Sequence, residues 1–378
     1  MSKNYLLAIA TLMGTIIGVG LFAIPYVTMA SGVLPLIFYM IVLAMAQNYL
    51  HLLYAEVVLS TSGAHRLPGY MEKYNGRAGK LITLIITILS DYGAMLAYII
   101  VGGLFLHQLL APIFGGGVVV YASVLFLFEA LIVLFGLRLV AGTEFIMTGL
   151  LVLIISLISW RGLNFIRPEN YVLINWQNIL LPYGPIFFAV SGMAAIPDVC
   201  KLLAREKNKI KSAIAWGTYL SAGLMLVFAL VIAGITGAST TPDTLAGLSQ
   251  IFGDGVIKIV LVFGLLAVIT SMISIAEASR EVYWWDFKIN KNLAWVLACF
   301  APWLIYLAGL RDITKVVSLT GAVAGGILGV VVIYLIIKIK EKCERDSCIK
   351  NSINKPAGFI LSLLFILGLI YEIWNVLK

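Results

Sequence analysis

Long apolar stretches joined by short polar connections account for nearly the whole chain. Taking about 20 apolar residues as one membrane crossing, the pattern predicts eleven spans: 6–30, 33–59, 81–110, 118–136, 144–160, 179–197, 213–236, 256–279, 293–310, 315–338 and 357–376. The expectation is a single polytopic domain over 1–378 with no soluble appendage. The polar loop 60–80, interrupted by Gly63, Pro68 and Gly69, is expected to hold a short interfacial helix. No small-residue cleavage pattern follows the first apolar stretch, so 6–30 reads as a retained helix rather than a signal peptide.

Two of these spans contain residues that disrupt a helix. The first runs Gly14-Thr15-Ile16-Ile17-Gly18-Val19-Gly20-Leu-Phe-Ala-Ile-Pro25, with three glycines within seven residues and a proline five further on. Glycine costs about 1 kcal/mol and proline about 3 kcal/mol inside a helix. Broken helix is tolerated in hydrocarbon only where protein buries it or where it lines a cavity. The sixth span, Pro182 to Asp198, is broken in the same way, and Gly20-Leu-Phe-Ala-Ile-Pro25 and Gly192-Met-Ala-Ala-Ile-Pro197 share the form Gly-x-x-Ala-Ile-Pro. First and sixth spans correspond if the chain is two five-helix repeats, the second inverted, and such paired interruptions mark transporter binding sites. The competing reading is close helix packing, because Gly14-x-x-x-Gly18 is also a small-xxx-small pattern. An opening at Gly18-Val19-Gly20 would point N–H groups at a carboxylate. Carbonyls near Thr15, Ile16 and Ser191 would suit an ammonium or a small cation, so a zwitterion is the natural guest.

Composition agrees with a membrane protein: 61% of residues are hydrophobic and 12% charged, against about 45–50% and about 25% in soluble domains. Mean hydropathy is +1.03. The net charge of +8 does not imply a nucleic-acid partner. With the N-terminus inside, 20 of the 26 lysines and arginines fall in inner segments, the bias that sets topology. The expectation is therefore a multi-pass plasma-membrane protein with a cytoplasmic N-terminus, a C-terminus outside and the bilayer as its environment. Cys200, Cys299, Cys343 and Cys348 match no zinc spacing and receive no chemistry. No Gly-Lys-Ser/Thr phosphate loop is present, which leaves no basis for ATP-driven pumping.

Gly14 to Pro25 followed by Ala30-Ser-Gly32-Val-Leu-Pro35, together with Phe188-Ala-Val-Ser191-Gly192-Met-Ala-Ala-Ile-Pro197-Asp198, resembles the first and sixth helices of the amino acid–polyamine–organocation transporters. Among them the aromatic and hydroxy amino acid permeases and related neutral amino acid transporters are most similar. The resemblance implies an all-α integral membrane protein with the leucine-transporter fold. Repeats over 6–160 and 179–338 would be inverted copies, 357–376 a peripheral eleventh helix, and an amino acid would bind at the breaks. It further implies that Tyr98 faces the substrate, Phe188 gates the site, and Ser191 and Gly192 lie beside the ligand. Ala267-Val-Ile-Thr270-Ser271 resembles the sodium-binding run of sodium-coupled members, completed by the carbonyls of Gly14 and Ile17. The alternative is that Thr270 and Ser271 bond their own helix. Proton-coupled relatives place a lysine in span five, which has none here.

Asp91 and Glu129 fall inside apolar runs, and an intramembrane carboxylate is by default a functional hypothesis, here proton coupling. Structural hydrogen bonding is the alternative for each. Glu277, near Arg280 and Glu281, reads as part of an ion pair, and His51 and His107 read as bystanders near span ends. The sequence thus predicts no enzyme and no cofactor. It predicts a secondary active transporter coupling a neutral, apolar or aromatic amino acid to sodium or protons by alternating access. An amino-acid-sensing receptor subunit of the spore-germination type is the alternative, and the oligomeric state stays open.

Overall fold

The computed structural model describes residues 2–135, 141–242, 244, 254–341 and 355–377, and all of their regular structure is helical. The first apolar stretch forms two helices, α1 (Lys3–Ile16) and α2 (Gly20–Ser31), bent by 52°. Ser2 caps α1 by accepting the Tyr5 N–H at 3.3 Å, a preferred N-cap arrangement. α3 (Val33–Ser60) and α4 (Leu67–Phe114) follow. The helix expected within 60–80 is the start of α4, which turns at Gly76, where φ is 68°. Only glycine takes that backbone without strain. α5 (Val118–Phe135) and α6 (Ala141–Gly162) complete the first half of the chain.

The second half begins with α7 (Tyr183–Ala189) and α8 (Ile196–Leu202), separated by a 3₁₀ turn at Met193–Ala195. α9 (Ile210–Thr236) and α10 (Asp254–Glu281) come next, and α10 runs into a π turn at Val282–Asp286. After α11 (Lys291–Leu307), the tenth expected span is split. α12 (Ile313–Leu319) and α13 (Gly326–Glu341) flank a π turn at Thr320–Gly325. α14 (Lys355–Leu377) ends the chain. Among the described residues, eight helices are long and apolar enough to cross a membrane, nine with α1 and α2 as one span. The shorter apolar segments Lys291–Leu307 and Gly358–Trp374 overlap the expected spans 293–310 and 357–376. Arg138, Lys342, Cys343, Arg345, Cys348, Lys350 and Lys378 lie outside the described residues.

Burial separates centre from periphery. Leu12, Ile17, Ile24, Ile186, Ile196 and Ile214 are fully buried, so α1, α2, α7, α8 and α9 form the interior. Ile82 and Ile85 of α4, Phe128 of α5 and Phe359 and Leu367 of α14 are exposed, an apolar surface that suits lipid. Lipid supplies no hydrophobic drive between helices, so close packing and hydrogen bonds must hold them. The chain meets this with small residues at contacts: Gly103 of α4 lies on Ala122 of α5, and Gly264 of α10 receives the Phe105 ring.

Candidate functional site

The two interrupted spans meet at their interruptions. A Cβ on Gly20, the first residue of α2, would stand 2.6 Å from the Ala189 Cα at the end of α7. A Cβ on Gly192 would stand 2.7 Å from the Leu12 and Ile16 side chains at the end of α1. Neither contact admits a side chain, so glycine at these positions is what lets the breaks approach.

At the first break the backbone repairs itself in part. Ile17 N–H donates to the Met13 carbonyl at 2.7 Å and Gly18 N–H to the Ile16 carbonyl at 3.0 Å. Leu21 and Phe22 N–H turn to the carbonyls of Gly18 and Val19 at 3.2 and 3.1 Å. Gly18 N–H does not reach the Gly14 carbonyl, which instead accepts from the Ser271 hydroxyl of α10 at 3.0 Å. Tyr98 hydrogen-bonds Ser271 as well, and a Cβ on Gly18 would lie 2.6 Å from its hydroxyl. Thr15 donates its hydroxyl to the Thr11 carbonyl at 3.0 Å.

The second break is held from other directions. Gly192 N–H donates to His51 Nε2 of α3 at 3.0 Å, and His51 Nδ1 lies 3.0 Å from the Thr218 hydroxyl of α9. Nε2 must accept from the amide, so Nδ1 carries the ring proton and Thr218 accepts it. Two residues on, the Ala194 carbonyl accepts from Arg66 Nη1 at 2.7 Å. Arg66 also binds Glu281 of α10 through Nε at 2.7 Å and Asp198 of α8 through Nη2 at 3.1 Å. Burial disfavours its charge, but Asp198 and Glu281 outweigh burial and raise its pKa above the ordinary arginine value. The loop carrying it is fixed by Asp286, which accepts Gly69 N–H at 2.9 Å and pairs with His65 at 3.3 Å.

Around the breaks lies a cavity of about 110 Å³. Thr15, Ile16, Gly20, Phe188, Ser191 and Gly192 form its broken-helix wall. α4 contributes Thr87, Ser90, Asp91, Ala94 and Tyr98, and Ile275, Ala278, Val282 and Leu328 add an apolar wall. Arg66 and Leu67 close one end. Asp91 thus shares the cavity with Arg66, although it comes from a helix the break motifs do not touch.

The remaining predicted residues are placed elsewhere. Gly18 and Val19 do not line the cavity. Gly14, Ala267 and Thr270 surround a second space of about 10 Å³ together with Thr148 of α6, room for about one water-sized particle. Thr270 donates to the carbonyls of Leu266 and Ala267 at 3.0 and 3.1 Å. Ile17 stands outside this lining, and Glu129 is buried on α5 away from both spaces. Glu277 pairs with Arg280 at 2.8 Å.

Two residues escaped the sequence reading. His51 is not a bystander near a span end: it lies nine residues inside the end of α3 and holds the second break. The available signal was an imidazole inside a predicted span. Arg66 offered no signal beyond inner-loop positive charge, because its partners come from two distant parts of the chain, Ala194 to Asp198 and Glu281.

The sequence pattern of the tryptophan/tyrosine permease family matches residues 1–375. The chain is 26% identical over 321 residues to "Tyrosine-specific transport system 1" of Haemophilus influenzae, covering 78% of this chain and 77% of that protein. Its fold is similar to that of MhsT in complex with L-phenylalanine, with a TM-score of 0.75 at 15% identity, covering 99% of this chain and 98% of the other. It is also similar to the Eremococcus coleocola manganese transporter in complex with an aromatic bis-isothiourea substituted compound. There the TM-score is 0.65 at 12% identity, covering 98% and 87%. The backbone is thus that of the leucine-transporter fold.

Proposed function

The chain belongs to the tryptophan/tyrosine permease family, and from that premise we propose that it moves a neutral aromatic amino acid across the plasma membrane by cation-coupled alternating access. The wider amino acid–polyamine–organocation grouping is a looser fit than this family. Membership and fold make it a multi-pass amino acid transporter and not an enzyme; substrate, coupling ion and orientation belong to the proposal.

The carrying observation is the meeting of the two breaks on one cavity. The zwitterion lies there, with Gly20 at the start of α2 and Ser191 beside it. The side chain extends along the apolar wall of Ala94, Ile275, Ala278 and Leu328. The names of the relatives, one tyrosine-specific and one bound to phenylalanine, favour an aromatic guest.

The sodium site is proposed at the small space between α1, α6 and α10. Sodium is a hard cation that takes oxygen ligands, and this space offers the Gly14 and Ala267 carbonyls and the Thr270 hydroxyl, with Ser271 alongside. The Ile17 carbonyl completes the set only if the first break rearranges. The two five-helix segments, 6–160 and 179–338, act as inverted halves, with the N-terminus in the cytoplasm.

Uptake of labelled tyrosine, tryptophan and phenylalanine into proteoliposomes under imposed sodium and proton gradients tests this reading. Gradient-dependent accumulation is the expected result. Binding without accumulation overturns transport and favours a receptor. Thr270→Ala transport that keeps its full sodium dependence removes the sodium site.

A further inference from the structure

Outside the cavity and the sodium space, one buried ionisable cluster has no part in the reading above. Glu129 of α5 is 1% exposed, and neither carboxyl oxygen has a hydrogen-bond partner among the described residues. One turn further on, the Val133 carbonyl accepts from Arg280 Nη1. Arg280 Nη2 meets Glu277 Oε1 at 2.8 Å, while Arg280 Nε and Glu277 Oε2 are buried without partners. Glu277 and Arg280 are themselves 7% and 2% exposed.

Among the described residues, the further charges acting on Glu277 are Glu281 and Arg66 on one side and Lys291, at the start of α11, on the other. α11 also brings the buried thiol of Cys299 and Trp295, whose indole N–H donates to the Ala130 carbonyl at 2.8 Å. α4 packs on α5 through Gly102 and Gly103, and its Tyr92 hydroxyl is occupied by Tyr283 and the Leu297 carbonyl at 2.8 and 2.6 Å. His107 of α4 meets Tyr121 of α5 edge to face, two turns from Glu129 toward the opposite end of the helix. α10 contributes Glu277 and Arg280, with Glu281 one turn beyond Glu277.

Glu277 thus holds Arg280, while Glu129 stands one turn along α5 from the Val133 carbonyl that the same guanidinium meets. An ionised carboxylate without a partner is expelled from such a place or takes up a proton. With Glu277 paired to Arg280, the extra proton belongs to Glu129. A route outward follows α10: Glu277 is one turn from Glu281, which holds Arg66, and Arg66 in turn holds Asp198, whose side chain is 48% exposed. Opening the Arg66 end of the cavity parts this chain of charges and frees carboxylates to compete for Arg280.

We propose that Glu129 is an exchangeable proton site whose filling and emptying is linked to the transport cycle through the Arg280–Glu277 pair. The proton leaves Glu129 as its carboxylate takes Arg280 and adds to the displaced Glu277 carboxylate, so charge in the cluster is conserved in that step; its release from Glu277 to water leaves the cluster one unit more negative until a proton is taken up again. The proposal rests on the amino acid transport reading and adds a second coupling ion to it.

The full-length protein is tested in proteoliposomes loaded with a pH-sensitive dye, using labelled tyrosine, tryptophan and phenylalanine at fixed sodium. Wild type is expected to show substrate-evoked proton movement. Its uptake should change by about tenfold per pH unit across the titrating range, the slope of one proton. Glu129→Gln, which mimics the protonated state, is expected to bind substrate as before, to evoke no proton movement and to lose that slope. Glu277→Gln leaves Arg280 to pair with Glu129 and should lose the slope by the opposite route, so it serves where Glu129→Gln does not reach the membrane. Wild-type accumulation without proton movement, or a wild-type slope in either variant, overturns the proposal and leaves transport standing. Failure of wild type to accumulate or bind any of the three amino acids instead defeats the reading on which it rests.

Discussion

The two broken spans end in the same Gly-x-x-Ala-Ile-Pro form but are held by different chemistry. The first is held by hydroxyls: Ser271 on the Gly14 carbonyl, with Tyr98 against Gly18 and Ser271. Of these groups, Tyr98 lines the cavity and Gly14 the small space between α1, α6 and α10. The second is held by an imidazole on the Gly192 amide and a guanidinium on the Ala194 carbonyl. Neutral hydroxyls can be exchanged for ligand atoms at little cost, whereas a buried guanidinium with two carboxylates moves only as a group. The first break is thus suited to answer the ligand and the second to answer the opening of the Arg66 end.

The largest effect is expected where both breaks depend on one atom position. Gly20→Val would drive a branched side chain into the Ala189 backbone, and overpacking of this kind cannot be relieved by a rotamer. Binding of labelled tyrosine by the purified protein should be abolished. Gly149→Ala on α6, where a Cβ meets nothing within 4 Å, should bind normally and be slightly more stable. Equal loss in both would mean that the contact between breaks is not what matters.

Arg66→Ala comes next, because it tests the charged half of the comparison. It strands Glu281 and Asp198 and leaves the Ala194 carbonyl without its donor. Removing one partner from a buried ion pair costs about 3–5 kcal/mol. Here the half-exposed Asp198 places the expected loss at the lower end. Thermal unfolding in detergent should report that loss, and a cysteine placed at Ala194 should label faster from the Arg66 side. Arg66→Lys should recover part of the stability but not the slow labelling, since an ammonium does not reproduce the fork.

Such contrasts also show what a one-dimensional reading could reach. The breaks were legible because glycine and proline in an apolar run create a backbone problem that must be solved wherever the chain folds. Gly14, Ala267 and Thr270 could be grouped only through a family resemblance, since nothing local ties α1 to α10. Asp91 and Glu129 looked alike as lone carboxylates in apolar runs, yet one faces the cavity and the other the Arg280 cluster. That difference is set by which helices pack on α4 and α5. The π turn at Thr320–Gly325 was read as continuous helix. Its cause is tertiary: Gly321 must admit the α7 backbone, and a Cβ there would meet Phe188 N at 2.8 Å. His51 and Arg66 were missed for the same reason, because each acts through backbone groups that come near only after folding.

His51→Ala sharpens the second break without touching its charge. The Gly192 N–H then faces a void, and an unsatisfied buried donor costs about 1–3 kcal/mol. Because the amide belongs to the substrate wall, affinity for tyrosine should fall by roughly 10- to 100-fold. Thr218→Val removes only the acceptor that orients the ring and should cost less. If both variants bind like wild type, the imidazole is packing rather than bracing.

The smallest effect is expected at the hydroxyl-held break, and its smallness is the point. Ser271→Ala removes the donor to the Gly14 carbonyl, a net loss of about 1 kcal/mol for one neutral hydrogen bond. Stability should therefore change little. What should change is sodium dependence, because the freed carbonyl faces the α1–α10 space with one ligand hydroxyl fewer. The sodium concentration for half-maximal uptake should rise by about 5-fold or more, while tyrosine affinity at saturating sodium stays within about twofold of wild type. Thr270→Ala should shift sodium dependence in the same direction, since its hydroxyl lines the small space directly. The reverse pattern, with tyrosine affinity lost and sodium dependence intact, would assign Ser271 to the substrate through Tyr98 and leave the first break without a cation to answer.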